Sequence, residues 1–294
     1  MKVIRSKVIG YCFGVANTIE KAGLCIDKAR DEKIPCYSIG QIIHNKDVVR
    51  RFTDMGMQVT EQPDGFEPGV ALIRAHGIPD SLRRKYLEQG FSLIDSTCPI
   101  VDKGASALRK AAQNGKGTII IGVKGHAETI GLQGVEEPEG VLVPSHLICH
   151  MEDAQQLVAS GDIPETDEIV VVVQTTFPEK EFLAIRRYLK SHFRNIHFST
   201  SPCGATSSRI KAALELSSQC DAVLVIGGRN SENTKGLARS LEVTGKPVFC
   251  VENEKDLDAD LLKKLGGFSV LGLCSGSSTP TSVIRAVEEI LEKL

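Results

Sequence analysis

Residues 117–126 read GTIIIGVKGH, a short apolar run closed by Ile121 and Gly122, with His126 four positions beyond the glycine. A run this short, bounded by glycines, suits a buried strand rather than a helix. The same register returns twice. YSIG closes on Ile39 and Gly40 with His44 four residues on, and VLVIG closes on Ile226 and Gly227 with Ser231 four residues on. Each run is preceded by a helical pattern that starts at a cysteine. Val15, Ile19, Ala22 and Ile26 follow Cys12; Val101, Ala105, Leu108 and Ala112 follow Cys98; Ile210, Ala213 and Leu214 follow Cys203.

The second half of each segment recurs as well. VALIRAHGIPDSLRRKYLEQG, IVVVVQTTFPEKEFLAIRRYLK and FSVLGLCSGSSTPTSVIRAVEEIL each run from strand through polar loop to helix. Stripes mark the last two helices: Phe182, Ile185, Leu189 and Phe193 in one, Val283, Val287, Ile290 and Leu294 in the other. After the first two helices a strand leads to Cys98 (FSLIDSTC) and to Cys203 (IHFSTSPC), but no such strand follows the third. KVIRSKVIGYC, leading into Cys12, supplies it. The expected fold is α/β with parallel strands, as three similar units in a pseudo-threefold trefoil. Their expected spans are 13–97, 98–200 and 201–294, the last completed by strand 1–12. The middle unit carries an insertion, GVLVPSHLICHMEDAQQL, within which HLICH reads as a surface loop.

Composition narrows the function. The 294 residues are 41% apolar and 24% charged with a net charge of -2, so there is no general attraction to a phosphate backbone, and the absence of Trp argues against a base-stacking platform. Neither nucleic acid nor membrane is an expected partner, since no apolar stretch is long enough to span a bilayer. MKVIRSKVIGYC lacks the apolar core and cleavage site of a secretory signal, and the expected compartment is the cytoplasm. Nine cysteines, an odd number without a CxxC pair, suit neither a disulfide framework nor a zinc knuckle. Cys25, Cys36, Cys220 and Cys250 lie within helix or strand patterns and read as core, whereas Cys274 has no counterpart in the other repeats.

Ligands of parallel α/β sheets collect beyond the carboxyl ends of the strands, where helix starts face them. Cys12, Cys98 and Cys203 fall there, with His44, His76, His126, Ser231 and the SGSS loop. Packing alone would account for any one of these thiols. Together, three thiolates cannot complete a tetrahedral cysteine site, but they can hold three corners of an iron-sulfur cube. An iron left without a thiolate can act as Lewis acid and electron source. The histidines and helix starts suit a multiply charged anion such as a diphosphate. Glu128, two residues after His126, is either a favourable first-turn acid or, in a dry pocket, a proton donor. Thr175, Ser231, Asn233 and Ser278 supply hydroxyl and amide groups that ordinary turn and cap chemistry would also explain.

GYCFGV, HN at His44, AHG at His76, STCP, GHAE, QTT, PCGAT, NSEN and SGSSTP occur in the order found in the LytB family of 4-hydroxy-3-methylbut-2-enyl diphosphate reductases, which the chain resembles over essentially its whole length. The resemblance implies one 4Fe-4S cluster per chain on Cys12, Cys98 and Cys203. It implies an allylic diphosphate held by His44, His76, His126, Ser231, Asn233 and Ser278, with its hydroxyl near the unique iron and oriented and protonated by Thr175 and Glu128. His126 belongs to the catalytic set as well as to the binding set. Ferredoxin or flavodoxin would supply two electrons, and the products would be isopentenyl and dimethylallyl diphosphates of the non-mevalonate pathway of isoprene biosynthesis.

Ala127 replaces the usual Pro, Leu132 and Gln133 a more usual Thr-Met pair, and Glu232 a frequent Ser. A carboxylate at 232 should turn away from the anion or pair with Arg229 or Lys235. Two other readings fit the same residues. One is a cofactor-free racemase or lyase using paired thiols as acid and base; the other is a non-enzymatic diphosphate-binding or redox-sensing module.

Overall fold

The computed structural model describes residues 1–43, 45–164 and 168–294. Strand β1 (Lys2–Arg5) leads through Cys12 into helix α1 (Phe13–Glu32), followed by β2 (Cys36–Ile39), α2 (Lys46–Asp54), β3 (Met57–Thr60), β4 (Val70–Ile73), α3 (Asp80–Glu88) and β5 (Ser92–Asp95). The middle of the chain forms α4 (Pro99–Gln113), β6 (Gly117–Ile121), α5 (Ala127–Gln133), β7 (His146–Ile148), α6 (Met151–Ser160), β8 (Glu168–Val173), α7 (Glu179–His192) and β9 (Asn195–Phe198). The last part forms α8 (Gly204–Ser217), β10 (Ala222–Ile226), α9 (Glu232–Glu242), β11 (Val248–Val251), α10 (Ala259–Leu265), β12 (Val270–Ser275) and α11 (Thr281–Leu291).

Among the described residues these strands make three four-stranded sheets, ordered β3-β2-β4-β5, β7-β6-β8-β9 and β11-β10-β12-β1. Every pairing is parallel. The N-terminal strand does complete the last sheet, Lys2 opposite Val270 and Arg5 opposite Leu273. One compact unit comprises Met1–Asn17, Ile43–Met55 and Gly204–Leu294 and contains that sheet; the other, Thr18–Ile42 with Gly56–Cys203, contains the remaining two.

Repetition extends to single hydrogen bonds. The amides of Gly40, Gly122 and Gly227 each donate to the last residue of the neighbouring outer strand, Thr60, Ile148 and Val251. Those outer strands, β3, β7 and β11, were not marked by the repeated motifs. The stretch read as a surface loop is therefore corrected: HLI is β7, and His150 caps α6. Strands buried on both faces show why the sheets are parallel and sandwiched. In β10, Ala222, Leu224 and Ile226 pack with Leu257, Leu265 and the α11 residues Val283, Ile284, Val287 and Leu291. The alternate residues Val223 and Val225 pack with Ala213 and Leu216 of α8 and Leu237 and Leu241 of α9. Likewise Ile119 and Ile121 face α6 and α7 while Ile120 faces Leu108 and Leu132.

The α7 stripe is as expected, with Phe182, Ile185, Leu189 and Phe193 buried. In α11 the stripe shifts: Leu291 is buried where Leu294 was expected, because the helix ends at Leu291 and leaves Leu294 exposed. Cys25, Cys36 and Cys220 are core, but Cys250 is exposed, since β11 is an edge strand. No described helix is long and apolar enough to cross a membrane.

The repeated glycines are where side chains from neighbouring segments close over the strand ends. A Cβ on Gly40 would lie 2.5 Å from the Arg74 guanidinium carbon, one on Gly122 2.6 Å from Thr129 Oγ1, and one on Gly227 2.5 Å from Thr234 Oγ1. Gly40 also has φ +72°, a conformation that costs an L-residue about 1–3 kcal/mol. Gly40→Ala is expected to lower the urea midpoint accordingly, and an unchanged midpoint would show that neither the backbone conformation nor the Arg74 contact opposes a side chain there.

Candidate functional site

Each of the three singled-out cysteines stands in the same local frame. The amide of Cys98 donates to Ala75 O at 3.0 Å, that of Cys203 to Thr175 O at 2.7 Å, and that of Cys12 to Ser277 O at 3.2 Å. The acceptors lie just past the ends of β4, β8 and β12, so each thiol is tied to the carboxyl edge of its own sheet. All three are half-buried. A helix starts directly after each: α1 at Phe13, α4 at Pro99 and α8 at Gly204. Pro99 suits the first helical position, where its missing N–H costs nothing. Among the described residues, no three His, Cys, Asp or Glu side chains form a ready-made metal-binding group.

Glu128 and Thr175 meet, as the sequence order of their motifs could not show. Thr175 donates twice to one carboxyl group, from its amide to Oε1 at 2.7 Å and from its hydroxyl to Oε2 at 2.6 Å. Glu128 is 1% exposed. Burial dominates its chemistry and pushes its pKa up to about 7, against the two Thr175 bonds, which act to lower it. The carboxyl is thus poised to carry a proton near neutral pH. Its position is set from below by Gln174, almost fully buried, whose Oε1 accepts from Val123 N at 2.8 Å and Thr129 Oγ1 at 3.1 Å while its Nε2 donates to Thr176 at 2.7 Å.

His126 caps α5, its Nδ1 accepting from the Glu128 amide at 3.2 Å. That bond places the proton of a neutral ring on Nε2, making the outer nitrogen a donor. His76 packs edge-on against His126, ring centroids 5.4 Å apart. His44 lies outside the described residues. Ser231 caps α9 by accepting from Thr234 N at 3.4 Å, which leaves its hydroxyl proton to donate. Thr206 donates to Asn233 Oδ1 at 3.1 Å, which fixes the amide so that its NH2 remains the donor. Ser278 is 5% exposed in the loop after β12. This end of the last sheet therefore presents donors, which suits an anion. Glu232 does not spoil it: the carboxylate pairs with Lys235 at 3.0 Å and Arg239 at 3.7 Å, while Arg229 pairs instead with Glu252 and Asp256.

Two residues of this neighbourhood were not found from sequence. Gln174 stood beside a recognised Thr and could have been found as a polar residue ending an apolar strand. Arg209 could have been found because Ala212, Ala213 and Leu216, at i+3, i+4 and i+7, place it on the buried face of α8.

The geometry defines a class: parallel α/β repeats that carry a buried, protonatable carboxyl and hydrogen-bond donors at the carboxyl ends of their strands. The LytB protein family model matches residues 3–292, and the chain belongs to that family. A 4-hydroxy-3-methylbut-2-enyl diphosphate reductase of Solidesulfovibrio magneticus is 33% identical over 99% of both chains. One of Treponema denticola is 32% identical, again over 99% of both. Among solved structures, the E-1-hydroxy-2-methyl-but-2-enyl-4-diphosphate reductase of Plasmodium falciparum matches with TM-score 0.85 at 27% identity, covering 99% of this chain and 87% of that one.

Proposed function

We propose that the chain reductively dehydroxylates 4-hydroxy-3-methylbut-2-enyl diphosphate to isopentenyl and dimethylallyl diphosphates. Two electrons and two protons enter, the C–O bond breaks, and water leaves. The single observation that carries this reading is the buried Glu128 carboxyl clamped by Thr175, in a LytB-family chain whose relatives bear the reductase name. One 4Fe-4S cluster per chain is proposed on Cys12, Cys98 and Cys203. The residues fit it: three half-buried thiols, each fixed through its own amide, provide soft ligands and leave one iron without a thiolate. When bound, the cluster supplies electrons and a Lewis-acidic iron. The proposed repeats span 13–97, 98–200 and 201–294, the last completed by 1–12.

The chain's own groups then divide the work. His44, His76, His126, Ser231, Asn233 and Ser278 bind the diphosphate by donating to its oxygens. Thr175 orients the substrate hydroxyl and Glu128 holds the proton that departs with it, with His126 fixing the start of α5 through its bond from the Glu128 amide. Ferredoxin or flavodoxin is the proposed electron donor, and the cytoplasm the proposed compartment. Anaerobic turnover with reduced methyl viologen tests the reading: both products should form from protein that carries iron and sulfide. A colourless protein that is inert toward the diphosphate would end it.

The pH profile follows from Glu128. The useful form is the protonated one, which exists below a pKa of about 7 and is lost above it. With a donor of fixed potential, kcat is expected to be flat below pH 7 and to fall about tenfold per pH unit above it. A rate rising through this range would assign Glu128 the opposite role.

A further inference from the structure

Helix α8 turns a cation into the interior. Arg209 is 4% exposed, yet its partners are neutral: Nη1 donates to Ser275 O at 2.9 Å and Nη2 to Gly10 O at 2.8 Å. Its Nε is buried with no hydrogen-bond partner among the described residues. A buried guanidinium without a counter-ion is strongly unfavourable, and Arg does not escape by losing its proton. Burial acts to lower its pKa, and the groups acting to raise it are two thiols, Cys12 and Cys274, with no carboxylate among them. Cys274 is no counter-ion, because burial pushes its own pKa up to about 12. Cys12 remains.

The two carbonyls that Arg209 grips belong to the segments that frame Cys12. Gly10 lies two residues before it, and the Gly10 amide donates to Ser275 Oγ at 2.9 Å. The Cys12 amide donates to Ser277 O, two residues beyond Ser275. Arg209 therefore clamps the loop that presents Cys12 onto the end of β12, beside Ser278.

We propose that Arg209 is a positioning residue for the cluster: it fixes the Cys12 loop and supplies the buried positive charge that the thiolate-bound cluster balances, so that the added electron is held more readily. This rests on the proposed function. A cube held by three thiolates is negative and becomes more so on reduction, and a fixed cation in a region of low dielectric favours the reduced state.

The test uses holoenzyme prepared without oxygen as parent, Arg209→Lys and Arg209→Gln, read by iron content and by a redox titration followed by electron paramagnetic resonance. At the parent's midpoint potential, Arg209→Gln is expected to show at least a tenfold lower ratio of reduced to oxidised cluster, about 59 mV for one electron, and Arg209→Lys a change under about threefold. If Arg209→Gln loses its iron, retention in Arg209→Lys supports the counter-charge. Arg209→Gln titrating with the parent, or both variants shifting or losing iron equally, would overturn it. A parent that takes up no iron and sulfide would instead defeat the proposed function itself.

Discussion

Cys98→Ser is expected to abolish reduction of the hydroxylated diphosphate, by a factor of at least about 10³, together with the brown colour of the anaerobic protein. The thiolate is the proposed ligand; a serine hydroxyl stays protonated at neutral pH and binds iron poorly. Cys98 lies at the start of α4 with its amide held by Ala75, so the replacement leaves the backbone frame intact and removes only the sulfur. Iron should fall from about four per chain toward zero, since a cube tethered at two corners is readily lost. Cys250→Ser is the matched control, because that thiol is exposed on an edge strand, and it should keep both iron and rate. Full iron and full rate in Cys98→Ser would remove Cys98 from the site.

Glu128→Gln should lower kcat about 10²–10⁴-fold while barely changing the half-saturating substrate concentration. The amide is the same size as the acid. Its oxygen can still accept from the Thr175 amide, and its NH2 can face the Thr175 hydroxyl, so the pocket survives but the transferable proton does not. Stability should move the other way. Because burial raises the folded pKa from 4.5 to about 7, the folded state binds more protons than the unfolded one in that window, and the associated stability is lost as pH rises through it. At pH 8 a buried carboxylate costs about 3 kcal/mol that the Gln variant does not pay. The variant should therefore melt higher than the parent at pH 8 and about equally at pH 4. A lower melting temperature at pH 8 would show that the Thr175 bonds outweigh the burial.

The fold was legible because its signal repeats. The Ile-Gly pair, the hydrogen-bonding residue four positions on and the cysteine before the helix each occur three times, and the N-terminal strand follows from the one place where the pattern lacks a piece. The outer strands β3, β7 and β11 were not legible, for they span four, three and four residues and carry no shared motif. A strand so short takes its identity from its neighbour's amides, such as that of Gly122 donating to Ile148 O. Cys250 was misplaced for the same reason, since β11 lies at the margin of its sheet, where Val248 and Phe249 are only half-buried and Cys250 is exposed. At the site, residue types and order named Glu128 and Thr175, but their contact spans 47 positions and needed coordinates. Arg209 escaped notice because an arginine is expected outside. Only its place among Ala212, Ala213 and Leu216 betrays it.

Pairing of Lys2–Arg5 with β12 has a temporal consequence. During synthesis, the segment bearing Cys12 emerges before those bearing Cys98 and Cys203 but has no β12 to pair with until residue 270 and beyond have followed. Of these three sulfurs the first made is thus the last to be seated, so loading of the proposed cluster would wait for β12.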